Sequence, residues 1–324
     1  MKILITGMAG FIGLALAARL QGQGAQVTGL GLEPPPDWAL TRLGDLPFHD
    51  IDVTDRAALA AMVNALRPDV IVHAAAMTPD AVREAAGDAA RVVAVNVGGS
   101  ANVIEAAAAA GVRRVVHLSS VAVYGRSISE APRLHEEDTV CAPATLYALT
   151  KHAAERLALR LGAVHGVEVI APRLGVAWGP WEYRTGARPL PSPPNQIMAL
   201  ARRGLVADVP PGTLAPLIHV EDVAAALSLL IAAPLRPESG SGGVVNLGAS
   251  ELTDLADLAR WIARATGADK PGDGVTLLAP NRPPMDGTRL NSLIGMDPGA
   301  ATEAQVAAWC AWIAALPDPG APFA

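Results

Sequence analysis

The chain has 324 residues, of which 51% are hydrophobic, and a formal net charge of −6. That length and apolar content suit one large domain or two closely packed ones with a full core. The acidic balance and the lack of any Lys/Arg run give no support to a nucleic-acid partner or a membrane surface.

The chain enters a strand, Lys2–Thr6, with no basic and apolar leader ahead of it, so no signal peptide is expected and a cytoplasmic location is. A Gly turn follows, then an apolar-periodic helix at about Phe11–Gln21 and a second strand at Gln26–Leu30. Ala57–Leu66 reads as a helix and Val70–His73 as a strand. Val95–Ala110 is a long Ala-rich helix stopped by Gly111. Val115–Ser119 is the next strand, Thr145–Leu161 a helix stopped by Gly162, and Val167–Ala171 a strand. This alternation predicts an α/β fold: a Rossmann-type, doubly wound parallel sheet.

After Arg173 the texture changes. Trp178–Pro194 is rich in Pro, Trp and Arg and reads as a long loop. Gln196–Arg203 looks helical, and Leu217–Val220 with Asp222–Ala233 restores the strand–helix pattern. A strand at Val244–Leu247 and helices at about Leu252–Ala265 and Glu303–Ala315 complete a smaller, mixed C-terminal lobe. The expected division is a dinucleotide-binding domain of residues 1–173 plus about 217–243, and a substrate lobe of about 174–216 and 244–324. No apolar run free of breakers reads as long enough to span a bilayer. The two cysteines, Cys141 and Cys310, have no metal spacing, and no disulfide is expected.

Tyr147-Ala-Leu-Thr-Lys151 carries the chemistry. On a helix the two side chains stand on one face, one turn apart. An ammonium there favours the phenolate, so the pair can move a proton to or from a substrate hydroxyl. With only three Tyr and three Lys in the chain, a chance pair at this spacing is expected roughly 3% of the time. Gly7-Met-Ala-Gly10-Phe-Ile-Gly13 lies between the first strand and first helix, where glycines allow a tight turn and close approach to a pyrophosphate at the helix N-terminus. Glu33, just past the second strand, is placed to bond a ribose diol or is plain surface charge. No Arg or Lys follows to hold a 2′-phosphate, which favours NAD, although NADP stays open. Asp52-Val53 is placed to face the adenine. Ser119-Ser120 ends a strand at the edge where α/β sheets bind ligands.

His73, His117 and His219 show no ligand spacing and read as satisfied core residues, so no metal is expected. No Gly-x-Ser-x-Gly elbow supports a serine hydrolase. Trp178, Trp181 and Tyr183 beside Arg184 and Arg188 either line a substrate pocket, with Arg holding a carboxylate or phosphate, or form a packed loop with solvated arginines.

Together these residues resemble the extended short-chain dehydrogenase/reductase family, the NAD-dependent epimerase/dehydratase group. The resemblance runs through Thr6-Gly7-x-x-Gly10-Phe11-Ile12-Gly13, Asp52-Val53, His73-Ala74-Ala75-Ala76, Asn96-Val97-x-Gly99 with Asn102, Ser119-Ser120-x-x-Val123-Tyr124-Gly125, Tyr147-x-x-x-Lys151, Pro172-Arg173, Gly179-Pro180 and Ile218-His219-Val220-x-Asp222-Val223. It implies Ser120 as the catalytic hydroxyl, Tyr147 as acid/base, and Lys151 as the residue that holds the nicotinamide ribose and lowers the Tyr pKa. It further implies that Gly7, Gly10, Phe11, Ile12 and Gly13 cradle the pyrophosphate, and that Ala74, Ala75, Ala76, Asn96, Pro172 and Leu174 line the cofactor groove. Thr78, Val121, Trp178, Arg184 and Arg282 are the substrate-side candidates, and a homodimer through the two long helices is implied.

The departures from the family narrow the activity. The 4,6-dehydratases carry Asp-Glu after the catalytic hydroxyl, where this chain has Val121-Ala122, so elimination of water is not expected. Nucleotide-sugar epimerases carry an Asn and an Arg where this chain has Val176 and Ala215, and an Arg-Pro-Gly-Asp stretch is altered to Arg282-Pro-Pro-Met-Asp286. The expected function is therefore hydride transfer at a secondary alcohol or ketone of a small polyhydroxylated substrate, a sugar or sugar acid. The alternatives are a nucleotide-sugar 4-epimerase with tightly bound NAD and a non-catalytic dinucleotide-binding relative.

Overall fold

The computed structural model describes residues 1–44, 46–79, 84–188, 190–234, 243–276 and 282–323. Its centre is a parallel sheet of β1 (Lys2–Thr6), β2 (Gln26–Gly31), β3 (Phe48–Asp50), β4 (Val70–His73), β5 (Arg114–His117), β6 (Ser119–Ser120), β7 (Glu168–Leu174) and β12 (Val244–Leu247). The order is β12-β7-β5-β4-β1-β2-β3, with β6 pairing β7. Strand order reverses between β1 and β4, which opens a crevice at the carboxyl ends of those strands. Alternate strand residues feed two cores: Ile3 and Ile5 face one, Leu4 the other. On the first side lie α1 (Phe11–Gly22) and α7 (Val220–Ala232). On the second lie α3 (Arg56–Leu66), α4 (Ala89–Ala109) and α5 (Leu146–His165).

A third buried cluster joins Trp178 at the end of β8 (Val176–Trp178), α6 (Pro193–Ala201), α8 (Leu255–Thr266) and α10 (Glu303–Ala314). Small sheets support it: β8 pairs β11 (Leu217–His219), β9 (Leu205–Asp208) pairs β14 (Lys270–Thr276), and β10 (Leu214–Ala215) pairs β13 (Thr253–Asp254).

Several elements differ from expectation. Helix α5 runs through Gly162 and stops at Gly166 in the left-handed region, φ 72°. Gly162 is there for packing, because a Cβ would lie 2.5 Å from Val169 Cγ2. Helix α4 starts at Ala89, with a π-type turn over Ala94–Gly98. By length and composition it is apolar enough to cross a membrane, contrary to the sequence reading, but half of its apolar window is buried in this fold. Two short helices were not foreseen: α2 (Asp37–Leu43), directly after three prolines, and α9 (Thr288–Ile294). Part of the 217–243 segment, residues 235–242, lies outside the described residues.

His73 and His117 are paired in register on β4 and β5, with ring centroids 5.2 Å apart. Ser100 Oγ donates to the Asn96 carbonyl, so it accepts from His73 Nε2, while Thr6 Oγ1 donates to His73 Nδ1 at 2.7 Å. His73 is thus satisfied, as expected. His117 is not: among the described residues neither ring nitrogen has a partner, and His219 Nε2 also lacks one. Burial, helped by the Lys151 charge, pulls His73 down to about 3 and His117 well below its ordinary range, and burial alone pulls His219 to about 4.

The unfolded chain therefore takes up protons below pH 6.5 that the fold excludes. The stability these residues contribute is complete above that pH and falls as pH drops toward 4. His73 and His219, held at about 3 and about 4, each forfeit about 2 kcal/mol by pH 5, and His117 adds to the loss. Melting temperature against pH should fall steeply between 6.5 and 5, and His117→Leu should flatten the fall; an unchanged slope would refute the account.

Candidate active site

Helix α5 begins where Thr145 Oγ1 accepts the Ala148 N–H at 3.2 Å, a side-chain cap that fixes the start of the helix two residues before Tyr147. Tyr147 is half-buried, and Lys151 one turn on is buried. The Lys151 Nζ donates to the Leu118 carbonyl at 2.5 Å, bringing the helix onto the strand segment that carries Ser119 and Ser120. Burial pulls the ammonium down to about 8, with the Glu155 charge acting in the opposite direction. Ser120 Oγ accepts the Ala122 N–H at 3.2 Å, which leaves its hydroxyl hydrogen to donate elsewhere. The fold thus brings Ser120, Tyr147 and Lys151 to one sheet edge.

A layer behind them was not legible in sequence. The Glu155 carboxylate, wholly buried, accepts from Ser119 Oγ at 2.7 Å and from Arg173 Nε and Nη2 at 3.0 and 2.8 Å. Burial pulls the guanidinium down, but the Glu155 contact more than reverses it. Arg173 also lies over the Tyr124 ring at 4.7 Å, and Tyr124 Oη donates to Asn246 Oδ1 at 2.7 Å. Burial pushes this phenol up to about 12.

The turn between β1 and α1 is built for close approach. Gly7 has φ 66°, and a Cβ there would sit 2.7 Å from the Ala75 backbone; a Cβ on Gly13 would sit 2.6 Å from the Gly7 and Met8 carbonyl oxygens. Helix α1 has no side-chain cap at Gly10 and no acidic residue in its first turn. Its first N–H groups, at Phe11, Ile12 and Gly13, are therefore free for an anion. The segment after Trp178 closes over this turn. Tyr183 Oη donates to the Ala9 carbonyl at 2.6 Å, Thr78 N–H donates to the Ala187 carbonyl at 2.8 Å, and Arg188 lies 5.5 Å over the Phe11 ring. Buried Glu182 holds Arg188 at 3.0 Å.

A model of the NAD dependent epimerase/dehydratase family matches residues 3–248. The chain belongs to this family. It is 30% identical to a dTDP-glucose 4,6-dehydratase of Streptomyces niveus, over 93% of this chain and 89% of that protein. It is 33% identical to a probable UDP-glucuronate 4-epimerase of Rhizobium meliloti (strain 1021), over 56% of this chain and about half, 54%, of that protein. Among solved structures, MoeE5 in complex with UDP-glucuronic acid and NAD superposes with a TM-score of 0.75 at 28% identity, over 96% of this chain and 98% of that one. The UDP-glucose 4-epimerase of Thermus thermophilus in complex with NAD superposes at 0.78 with 23% identity, over 96% and 98%, which speaks for the fold alone.

This epimerase/dehydratase-family chain is an NAD-dependent enzyme, and the uncapped α1 N-terminus with its close-packed glycines Gly7 and Gly13 fits the pyrophosphate. The remaining cofactor candidates are placed as follows. Ala74, Ala75 and Ala76 follow β4 at the crevice, half-buried. Glu33 is exposed and close enough to Tyr183 for its charge to add to the effect of burial in pushing that phenol up to about 12. Asp52 Oδ1 caps the Thr54 N–H at 2.9 Å, and Val53 is buried against Gly99. The Asn96 side-chain amide is spent on Met77 and Thr150, so it shapes the groove wall without a free polar atom. Pro172 and Leu174 sit in β7, with Leu174 in register with Ser120.

Trp178 is a correction. It is fully buried in the third core against His219 and Trp309 and cannot touch a substrate. Trp181 and Tyr183 pack with Trp38 and Trp312, so this segment is a packed loop. Val121 is buried beside Met285, Arg184 is exposed, and Arg282 is half-buried.

Gly7→Ala combines a left-handed φ with a backbone collision, so it should cost about 2 kcal/mol or more and abolish NAD binding. Calorimetric titration with NAD checks this; near-native affinity would refute the cradle.

Proposed function

We propose that the enzyme oxidises a secondary alcohol, or reduces the matching ketone, of a small polyhydroxylated compound such as a sugar or sugar acid without a nucleotide. The observation that carries this is the convergence of Ser120, Tyr147 and Lys151 on one sheet edge through the bond from Lys151 to Leu118. Bound NAD supplies the acceptor for the hydride that leaves the carbinol carbon. The Tyr147 phenol oxygen takes the hydroxyl proton, and the Ser120 hydroxyl donates to the reacting oxygen and holds it in place. Val121-Ala122 offer no acid or base for removing water, and Val121 is buried.

On the substrate side, Ala215 is buried and paired with Thr253 in a two-stranded sheet, where it cannot contact a nucleotide. Arg282 is the cation we assign to an anionic group of the substrate, three residues before Met285, which packs with Val121. A second reading, a 4-epimerase on a nucleotide sugar, draws support from the names of the relatives.

Incubation with UDP-glucose in the absence of added NAD separates the two. No UDP-galactose is expected, and efficient conversion would sink the first reading. A screen of sugars and sugar acids for NADH absorbance should find the substrate, and Tyr147→Phe should lower its turnover by roughly 10²–10⁴-fold. Undiminished turnover would remove the mechanism.

The enzyme is further proposed to be a homodimer. Helix α4 exposes Val93, and α5 exposes Leu149 and Val164, apolar side chains that a helix-to-helix contact would cover. Light scattering should give twice the chain mass, and a monomeric mass would refute it.

A further inference from the structure

Two consecutive residues just before Ser120, Leu118 and Ser119, meet one face of α5. Lys151 donates to the Leu118 carbonyl, and Ser119 donates to Glu155, one turn further along the helix. Arg173, in register with Ser119 on the neighbouring strand, closes on the same carboxylate with two bonds. One buried group thus joins a helix and two strands at the level of the catalytic hydroxyl.

We propose that Glu155 is a positioning residue: its carboxylate fixes the register of α5 against β6, and so holds Tyr147 and Lys151 opposite Ser120. The assignment rests on the Ser120/Tyr147/Lys151 chemistry proposed above. A sheet edge held only by apolar packing would tolerate a slip of α5 along the strand; the two charge-assisted bonds from Arg173 and the hydroxyl bond from Ser119 have one geometry. Glu155 has a second effect through space. Lys151 is faced by Tyr147 and Glu155 on its own helix, by His73 on β4 and by His117 on β5. Both histidines are neutral, and the Lys151 charge helps to keep them so. Glu155 is the anion in that shell, with Arg173 on its far side.

The chain has three lysines, so ¹³Cε-lysine NMR resolves Lys151 from Lys2 and Lys270, with Lys151→Met as the assignment control. In the NAD-free protein the Lys151 midpoint is expected near about 8, and in Glu155→Gln lower by about one pH unit. With a substrate from the NADH screen, Glu155→Gln should lower kcat about tenfold while KM and NAD affinity stay put, because displaced reacting groups cost rate rather than binding.

Should the lone buried Arg173 prevent folding, E155Q/R173Q removes both charges and should lower the midpoint in the same way. An unchanged midpoint, or unchanged kcat, in whichever variant folds overturns the assignment. The lysine titration needs no substrate. Full turnover in Tyr147→Phe would instead sink the proposed chemistry, so the two failures are distinguishable.

Discussion

Two backbone segments touch with no side chain between them, and the cofactor half of the molecule depends on that contact. A Cβ on Gly7 would lie 2.7 Å from the Ala75 backbone. The turn can therefore sit directly against the segment leaving β4, at the point where strand order reverses. It is pinned from below as well, since a Cβ on Gly29 would collide with the Met8 side chain. With Gly13 closing under the Gly7 and Met8 carbonyls, the turn has one available shape. That shape points the first N–H groups of α1 into the crevice and turns the Ala9 carbonyl outward, where Tyr183 takes it. The loop after β8 then crosses from Ala9 to Thr78.

The catalytic helix is held by a different device. A buried Arg–Glu pair contributes little net stability, because the desolvation of two ions offsets their attraction. Its three hydrogen bonds and fixed geometry instead specify where the helix stops along the strands. The same carboxylate lies beside a buried ammonium that burial alone would drive toward neutrality. Register and charge at Lys151 thus share one cause, and replacing the pair by apolar residues of equal volume would preserve the packing but not the specification.

What was legible in sequence was local. The Tyr147–Lys151 spacing and the Gly7–Gly13 turn are short-range patterns whose meaning follows from helix geometry and from a strand directly upstream. Glu155 reads as an ordinary acidic helix residue, because its partners Ser119 and Arg173 are 36 and 18 residues away. Gly162 looks like a stop, since a glycine late in a helical pattern usually is one; only the position of Val169 shows that it is a packing site. Trp178 was misread because a segment rich in Pro, Trp and Arg has no period from which to tell a buried side from an open one. In space it ends a short strand whose register with His219 puts the ring in a core. The helix after Pro34-Pro35-Pro36 was hidden by the prolines, although Pro36 immediately before the first helical residue is compatible with a helix start.

The substrate side is limited by what fills it. Met285 is fully buried, and its sulfur lies where a Cβ on Gly248 or Gly175 would be 2.2 or 3.3 Å away. It packs with Val121, Val123, Tyr124 and Leu134 in an apolar cluster next to Ser120. Arg133 has the charge to serve a phosphate, but it donates instead to the Ser250 and Met285 carbonyls and ties that cluster to the chain. A diphosphate needs several donors converging on it. Among the described residues, Arg133 is committed to the backbone, Val176 and Ala215 bring no donor, and Arg282 is one cation. One cation suits one carboxylate or one phosphate, so the polar capacity of the lobe matches a small acid better than a nucleoside diphosphate.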